Sequence, residues 1–163
     1  MANNQTNQFQ QLLGQLFDAV NRKEPTVLSK ILALLKKIPE EPNLLHLAGL
    51  ASIDQDDAPA AIDYLMRSLT RLPEQSEVNN NLANIYAAQG ELEAAEQCYR
   101  QALYLAPEFQ NAWKNLGLLL ADSQPNEARA ALQQAVTLNS KDVSALTALG
   151  NSYKDLEDFG KAK

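Results

Sequence analysis

Histidine and cysteine carry most proton transfer, nucleophilic attack and metal binding near neutral pH, and this chain has one of each, His46 and Cys98. Neither has a second histidine or cysteine at metal-ligand spacing, so His46 reads as a polar surface residue and Cys98 as a small packing residue. The acidic pairs Glu40-Glu41 and Asp56-Asp57 fall at turns and helix starts, where carboxylates favour the helix dipole. No glycine-rich phosphate loop is present. The recurring polar side chain is an amide instead: Asn81 and Asn115 stand 34 residues apart, each immediately before a leucine. An asparagine offers both a donor and an acceptor, so it can grip a peptide amide in either direction. The chemistry within reach is recognition, and the chain is not expected to be an enzyme.

Positioning those amides requires regular elements, and the elements repeat. Pro39, Pro73 and Pro107 are spaced 34 residues apart, with Ser140 following after 33. Each proline closes an Ala/Leu-rich amphipathic stretch that it cannot continue. One series of small residues runs Gly49, Ala83, Gly117, Gly150, with Tyr86, Leu120 and Tyr153 three residues beyond the last three of these. A second runs Ala61, Ala95, Ala128, Ala162, with Leu65, Tyr99 and Leu132 four residues beyond the first three. Small residues at these sites let two helices approach closely, and the large ones fill the space around the contact. The shorter third spacing reflects one deletion in the turn Asp122-Ser123-Gln124-Pro125.

The spacing predicts helices over 8–21, 25–38, 43–55, 58–72, 76–89, 92–105, 110–122, 125–138 and 143–156. These group into a flexible tail at 1–7, a degenerate helix pair or cap at 8–41, and full units at 42–75, 76–109 and 110–142. A unit cut short occupies 143–163. In the degenerate pair, Leu13-Gly14 and Phe17 follow the pattern roughly, and Pro25 marks a helix start. At the other end Ala162 falls where a second helix would begin, which suggests a fragment of a longer protein or a unit completed by another molecule.

Composition agrees with an all-α fold. Of 163 residues, 45% are hydrophobic, with only six glycines and seven prolines, too little punctuation for a many-stranded β fold. A net charge of −6 and the lack of a basic cluster argue against nucleic acid as a partner. The polar, uncharged start is unlike a signal peptide, and no apolar run approaches the roughly 20 residues of a membrane span. The expected compartment is the cytoplasm, and neither membrane nor cofactor is expected.

Trp113-x-x-Leu116-Gly117 and Ala95-x-x-x-Tyr99…Pro107 resemble the signature of the tetratricopeptide family. The resemblance implies a right-handed superhelical solenoid of antiparallel helix pairs, with Trp113 in the core. It also implies that the first helix of each unit lines a concave groove holding an extended peptide or a partner helix. On this sequence that face comprises Asn43, His46, Leu47 and Leu50, then Glu77, Asn80, Asn81 and Asn84. It continues with Asn111, Lys114, Asn115 and Leu118, then Ser144, Thr147, Asn151 and Lys154. The Asn81–Asn115 pair is similar to the asparagine ladder of O-linked N-acetylglucosamine transferases, which holds substrates by their backbone, although Leu47 and Ala148 stand at the flanking rungs. The plainer reading is a row of solvated polar residues. Chaperone-type repeats clamp carboxylates with several basic side chains, whereas here Lys114 is alone in mid-groove, with Glu77 in register nearby. Two further readings are kept: a substrate-recruiting arm of a larger sulfotransferase or glycosyltransferase, and homo-oligomers formed through the exposed last helix.

Overall fold

The computed structural model describes Ala2–Lys161, with side chains described for residues 6–154. Among the described residues there are nine helices and no strand: α1 (Ala2–Asn21), α2 (Val27–Leu35), α3 (Pro42–Asp54), α4 (Ala58–Arg71), α5 (Ser76–Gln89), α6 (Leu92–Leu105), α7 (Gln110–Leu119), α8 (Pro125–Leu138) and α9 (Val143–Lys161). The chain divides into two compact units, Met1–Val78 and Asn79–Lys163.

In the first unit, Leu13, Leu16 and Val20 of α1 meet Val27 and Ile31 of α2 and Leu44, Leu47 and Ala48 of α3. In the second, Ala83 of α5 joins Ala95, Tyr99 and Ala102 of α6, Ala112, Leu116 and Leu120, and Ala128 of α8. The paired small sites do what their spacing predicts. A Cβ on Gly49 would lie 2.6 Å from Leu65 Cδ2, and one on Gly117 would lie 2.6 Å from Leu132 Cγ and 3.0 Å from the Ala128 carbonyl. Trp113 is half-buried against the second core and donates its indole N–H to the Pro107 carbonyl at 2.8 Å.

Both kinds of turn recur as backbone geometry. Leu72, Ala106 and Asn139 end α4, α6 and α8 with φ of −138°, −138° and −143°. The first two precede prolines, which exclude the helical conformation from the preceding residue. Between the helices of a pair, Lys23 (φ 54°), Asp56 (φ 59°) and Gly90 (φ 81°) all lie in the left-handed region. In each case the next residue's N–H returns five residues, Glu24 to Ala19, Asp57 to Ser52 and Glu91 to Tyr86, at 2.9–3.0 Å. This is the Schellman closure, and glycine is the residue it strains least. Gly90→Ala is therefore expected to cost about 1 kcal/mol, and Asp56→Gly to gain up to about 1 kcal/mol, in urea unfolding. A Cβ at Gly90 would meet nothing within 4 Å, so its cost is backbone strain alone.

Several sequence expectations are revised. Residues 2–7, assigned to a tail, continue α1; they contain no glycine or proline to stop a helix propagating from the amphipathic segment beyond. α2 ends at Leu35 instead of residue 38, because Lys37 and Ile38 both donate to the Leu34 carbonyl ahead of Pro39. α7 ends at Leu119, three residues before the expected end. Gly14 is not a close-approach site, since a Cβ there meets nothing within 4 Å. α9 runs to Lys161, through the place where a turn was expected. Glu157 stands there in the register of Asp56 and Gly90, and glutamate resists the left-handed conformation those residues adopt. Ala162 and Lys163 lie outside the described residues.

Candidate binding surface

The amide-bearing helices of the second unit form one hydrogen-bonded cluster. Asn115 on α7 donates through Nδ2 to Asn84 Oδ1 at 3.0 Å and to Asn80 Oδ1 at 3.3 Å. Tyr99, rising from α6, donates its hydroxyl to the same Asn84 Oδ1 at 2.7 Å. Burial pushes the Tyr99 phenol up to about 12, with Cys98 adding to the shift, so the phenol remains a donor at neutral pH. Two donors on Asn84 Oδ1 leave the Asn84 amide N–H groups to be offered outward, and the doubly donating Asn115 offers its Oδ1. A donor and an acceptor held side by side match the alternating C=O and N–H groups of an extended peptide. Asn80 is 6% exposed, so it anchors the cluster from below and does not line a surface. Asn81 is half-buried one residue further along α5.

Lys114 is committed elsewhere. Its Nζ lies 3.0 Å from Asp142 Oδ2, with the two side chains 20% and 13% exposed. Gln110 donates to the same oxygen at 2.7 Å, and Asp142 Oδ1 accepts the Ala145 N–H at 3.1 Å, capping α9. The Ala145 N–H first, then Lys114 and Gln110, hold the Asp142 carboxyl down at about 2. A folded-state value below the unfolded one makes this a stabilising group at neutral pH. Its contribution is present above about pH 4 and disappears as the pH falls through about 2. Asp142→Asn should accordingly lower the melting temperature at pH 7, and the gap to wild type should close by pH 2 in parallel thermal melts.

Asn111, Asn151 and Lys154 are exposed on α7 and α9, as are Ser144 and Thr147. The remaining candidates lie in the first unit. Asn43 donates to Glu41 Oε1 at 3.0 Å, while Glu41 Oε2 caps α3 through the Leu44 N–H at 2.7 Å. His46 is half-buried; desolvation lowers its pKa and the Glu77 carboxylate opposes that, so the ring is neutral at pH 7. Glu77 itself is exposed in the first turn of α5. Leu47 is buried in the first core and leaves the candidate face, because its side chain fills space between α1, α2 and α3. Leu50 is half-buried, and Leu118 is 48% exposed. Cys98 is half-buried, and burial raises its thiol pKa, which opposes thiolate formation. No group of three His, Cys, Asp or Glu residues able to hold a metal occurs among the described residues.

Sequence reasoning did not single out Tyr99 or Asp142 as surface determinants. Asp142 carried a signal, an aspartate directly before a helix start. Tyr99 carried none, because its hydroxyl's role depends on where Asn84 points.

Antiparallel helix pairs recurring every 33 or 34 residues define a helical-repeat protein, a class that presents extended binding surfaces. Residues 76–109 match the tetratricopeptide repeat, and the chain belongs to the tetratricopeptide-repeat family. It is 31% identical over 102 residues to Protein O-mannosyl-transferase Tmtc3 of Drosophila melanogaster, a match covering 60% of this chain and 11% of the relative. The chain spans about a tenth of the length of the curated relatives it matches. Among solved structures it resembles MamA, with a TM-score of 0.75 and 19% identity, over 80% of this chain and 77% of that one. It also resembles the first repeat domain of Spaghetti (RPAP3) bound to the HSP90 peptide SRMEEVD, with a TM-score of 0.69 and 19% identity, over 72% and 94% of the two chains. No helix of the described residues is long and apolar enough to cross a membrane.

Proposed function

We propose that the chain is a protein-interaction scaffold that binds an extended polypeptide segment by its backbone, on the first helices of its repeats. The carrying observation is the Asn80–Asn84–Asn115–Tyr99 cluster, which presents a fixed donor and a fixed acceptor. Asn81 and Asn111 flank it, and Asn151 and Lys154 extend the same face along α9. The ligand is not an acidic C-terminus, because Lys114 is already neutralised by Asp142. The Spaghetti domain is bound to the peptide SRMEEVD; this chain is expected not to bind it.

Peptides selected from a random library on the purified chain should tolerate side-chain changes and lose binding on backbone N-methylation. Asn81→Ala with Asn115→Ala should weaken those peptides about tenfold or more, since each hydrogen bond contributes about 1 kcal/mol. Unchanged affinity in that double variant would remove the asparagine reading. The Tmtc3 similarity supports a second reading, a recruiting arm joined to a transferase. A transferase domain encoded in frame after Lys163 is its expected result, and an immediate stop codon would end it.

A further inference from the structure

The glycines on the first helices of the pairs are of two kinds. Gly49 and Gly117 face a leucine of the following antiparallel helix at contact distance, whereas a Cβ on Gly150 would meet nothing within 4 Å. Around Gly150 the same stripe of α9 leaves Val143, Leu146 and Tyr153 exposed by 74%, 42% and 50%. Positions separated by three, four and three residues lie along one helix face. Ala145 and Leu149, on the neighbouring face, are buried. Tyr153 is held in place by the Arg129 guanidinium, 5.5 Å from its ring centre.

This stripe is complementary to itself. Laid antiparallel on a second copy with Ala148 of each on a two-fold axis, it sets Leu146 opposite Gly150 and Val143 opposite Tyr153, and each pairing occurs twice. A leucine seated on a glycine of an antiparallel helix is the contact that already joins α3 to α4 and α7 to α8. A surface holding both knob and hole suits a two-fold interface, the commonest symmetry of soluble oligomers. We propose that α9 is a self-association surface at which two copies of this chain pair through antiparallel α9 helices. The stripe is only about 15 Å long at 1.5 Å per residue, so the pair is weak and forms at micromolar or higher concentration. Each copy carries a charge of −6, so added salt strengthens the association by screening repulsion.

Sedimentation equilibrium of the chain at rising concentration tests this. Wild type is expected to pass from the monomer mass to twice that mass. Gly150→Gln should stay monomeric over the same range with undiminished helical circular dichroism, since the substitution meets open space within the monomer and fills the hole only between copies. Phe17→Glu, altering an exposed residue of α1 (45% exposed), should associate as wild type does. A wild type that remains monomeric overturns the proposal, as does Gly150→Gln associating normally. Loss of association in Phe17→Glu would also overturn it, because the first and last helices would then join head to tail.

Discussion

Gly117→Ala is expected to destabilise the protein by roughly 1–3 kcal/mol and Leu132→Ala by about 2–5 kcal/mol, with the double variant clearly more stable than their sum. The added Cβ would sit 2.6 Å from Leu132 Cγ, and Leu132, 1% exposed, has no room to withdraw. Truncating Leu132 in wild type leaves a cavity, yet the same truncation in the alanine background removes the obstacle. The rescue is partial, because the Ala128 carbonyl at 3.0 Å is backbone and stays in place. Urea unfolding of the four proteins closes the cycle, and strict additivity would show that Leu132 is not what keeps position 117 free of a side chain. Gly150→Ala is the matched control: with open space around it, it should gain up to about 1 kcal/mol from helix propensity.

Ile31→Ala is the second large effect, a loss of about 2–5 kcal/mol. Ile31 has no exposed surface and sits where α2 closes on α1 and α3. The segment 8–41 departs furthest from the repeat, so its contribution cannot be inferred by analogy with its neighbours. A truncation this costly would establish it as a built part of the first core, with faster amide hydrogen exchange across α1 and α2 as the local signature. A loss below about 0.5 kcal/mol, typical of surface positions, would mean that the pair merely rests on α3.

The helix-on-helix contacts were legible because they are steric. Ala61, Ala95 and Ala128 opposite Gly49, Ala83 and Gly117 tolerate few alternatives at a close crossing, so residue type and spacing reveal them. The asparagine cluster was half legible. Asn115 could be placed on the face, but not its reach to Asn80 and Asn84, 35 and 31 residues earlier. That reach depends on how α7 lies beside α5, which side-chain identity does not encode. Lys114 looked like a free cation for the same reason, since its partner Asp142 lies 28 residues on. The turn at Lys23 was hidden by its residue: nothing about lysine announces a left-handed backbone, and only register with Asp56 and Gly90 does.

The turn after α7 departs from the other three. Gln124 donates to the Leu120 carbonyl at 2.8 Å, and Pro125 starts α8 at once. Since Gly117 still meets Leu132 and Ala128, the missing residue rephased neither helix: each keeps its own rotation, and the strand of chain between them absorbs the difference. This joint works like a slip coupling in a drive shaft, where the length between two rotors can change while their teeth stay engaged. Grafting a short epitope or reporter into 121–124 would exploit that tolerance, leaving both flanking helices in mesh.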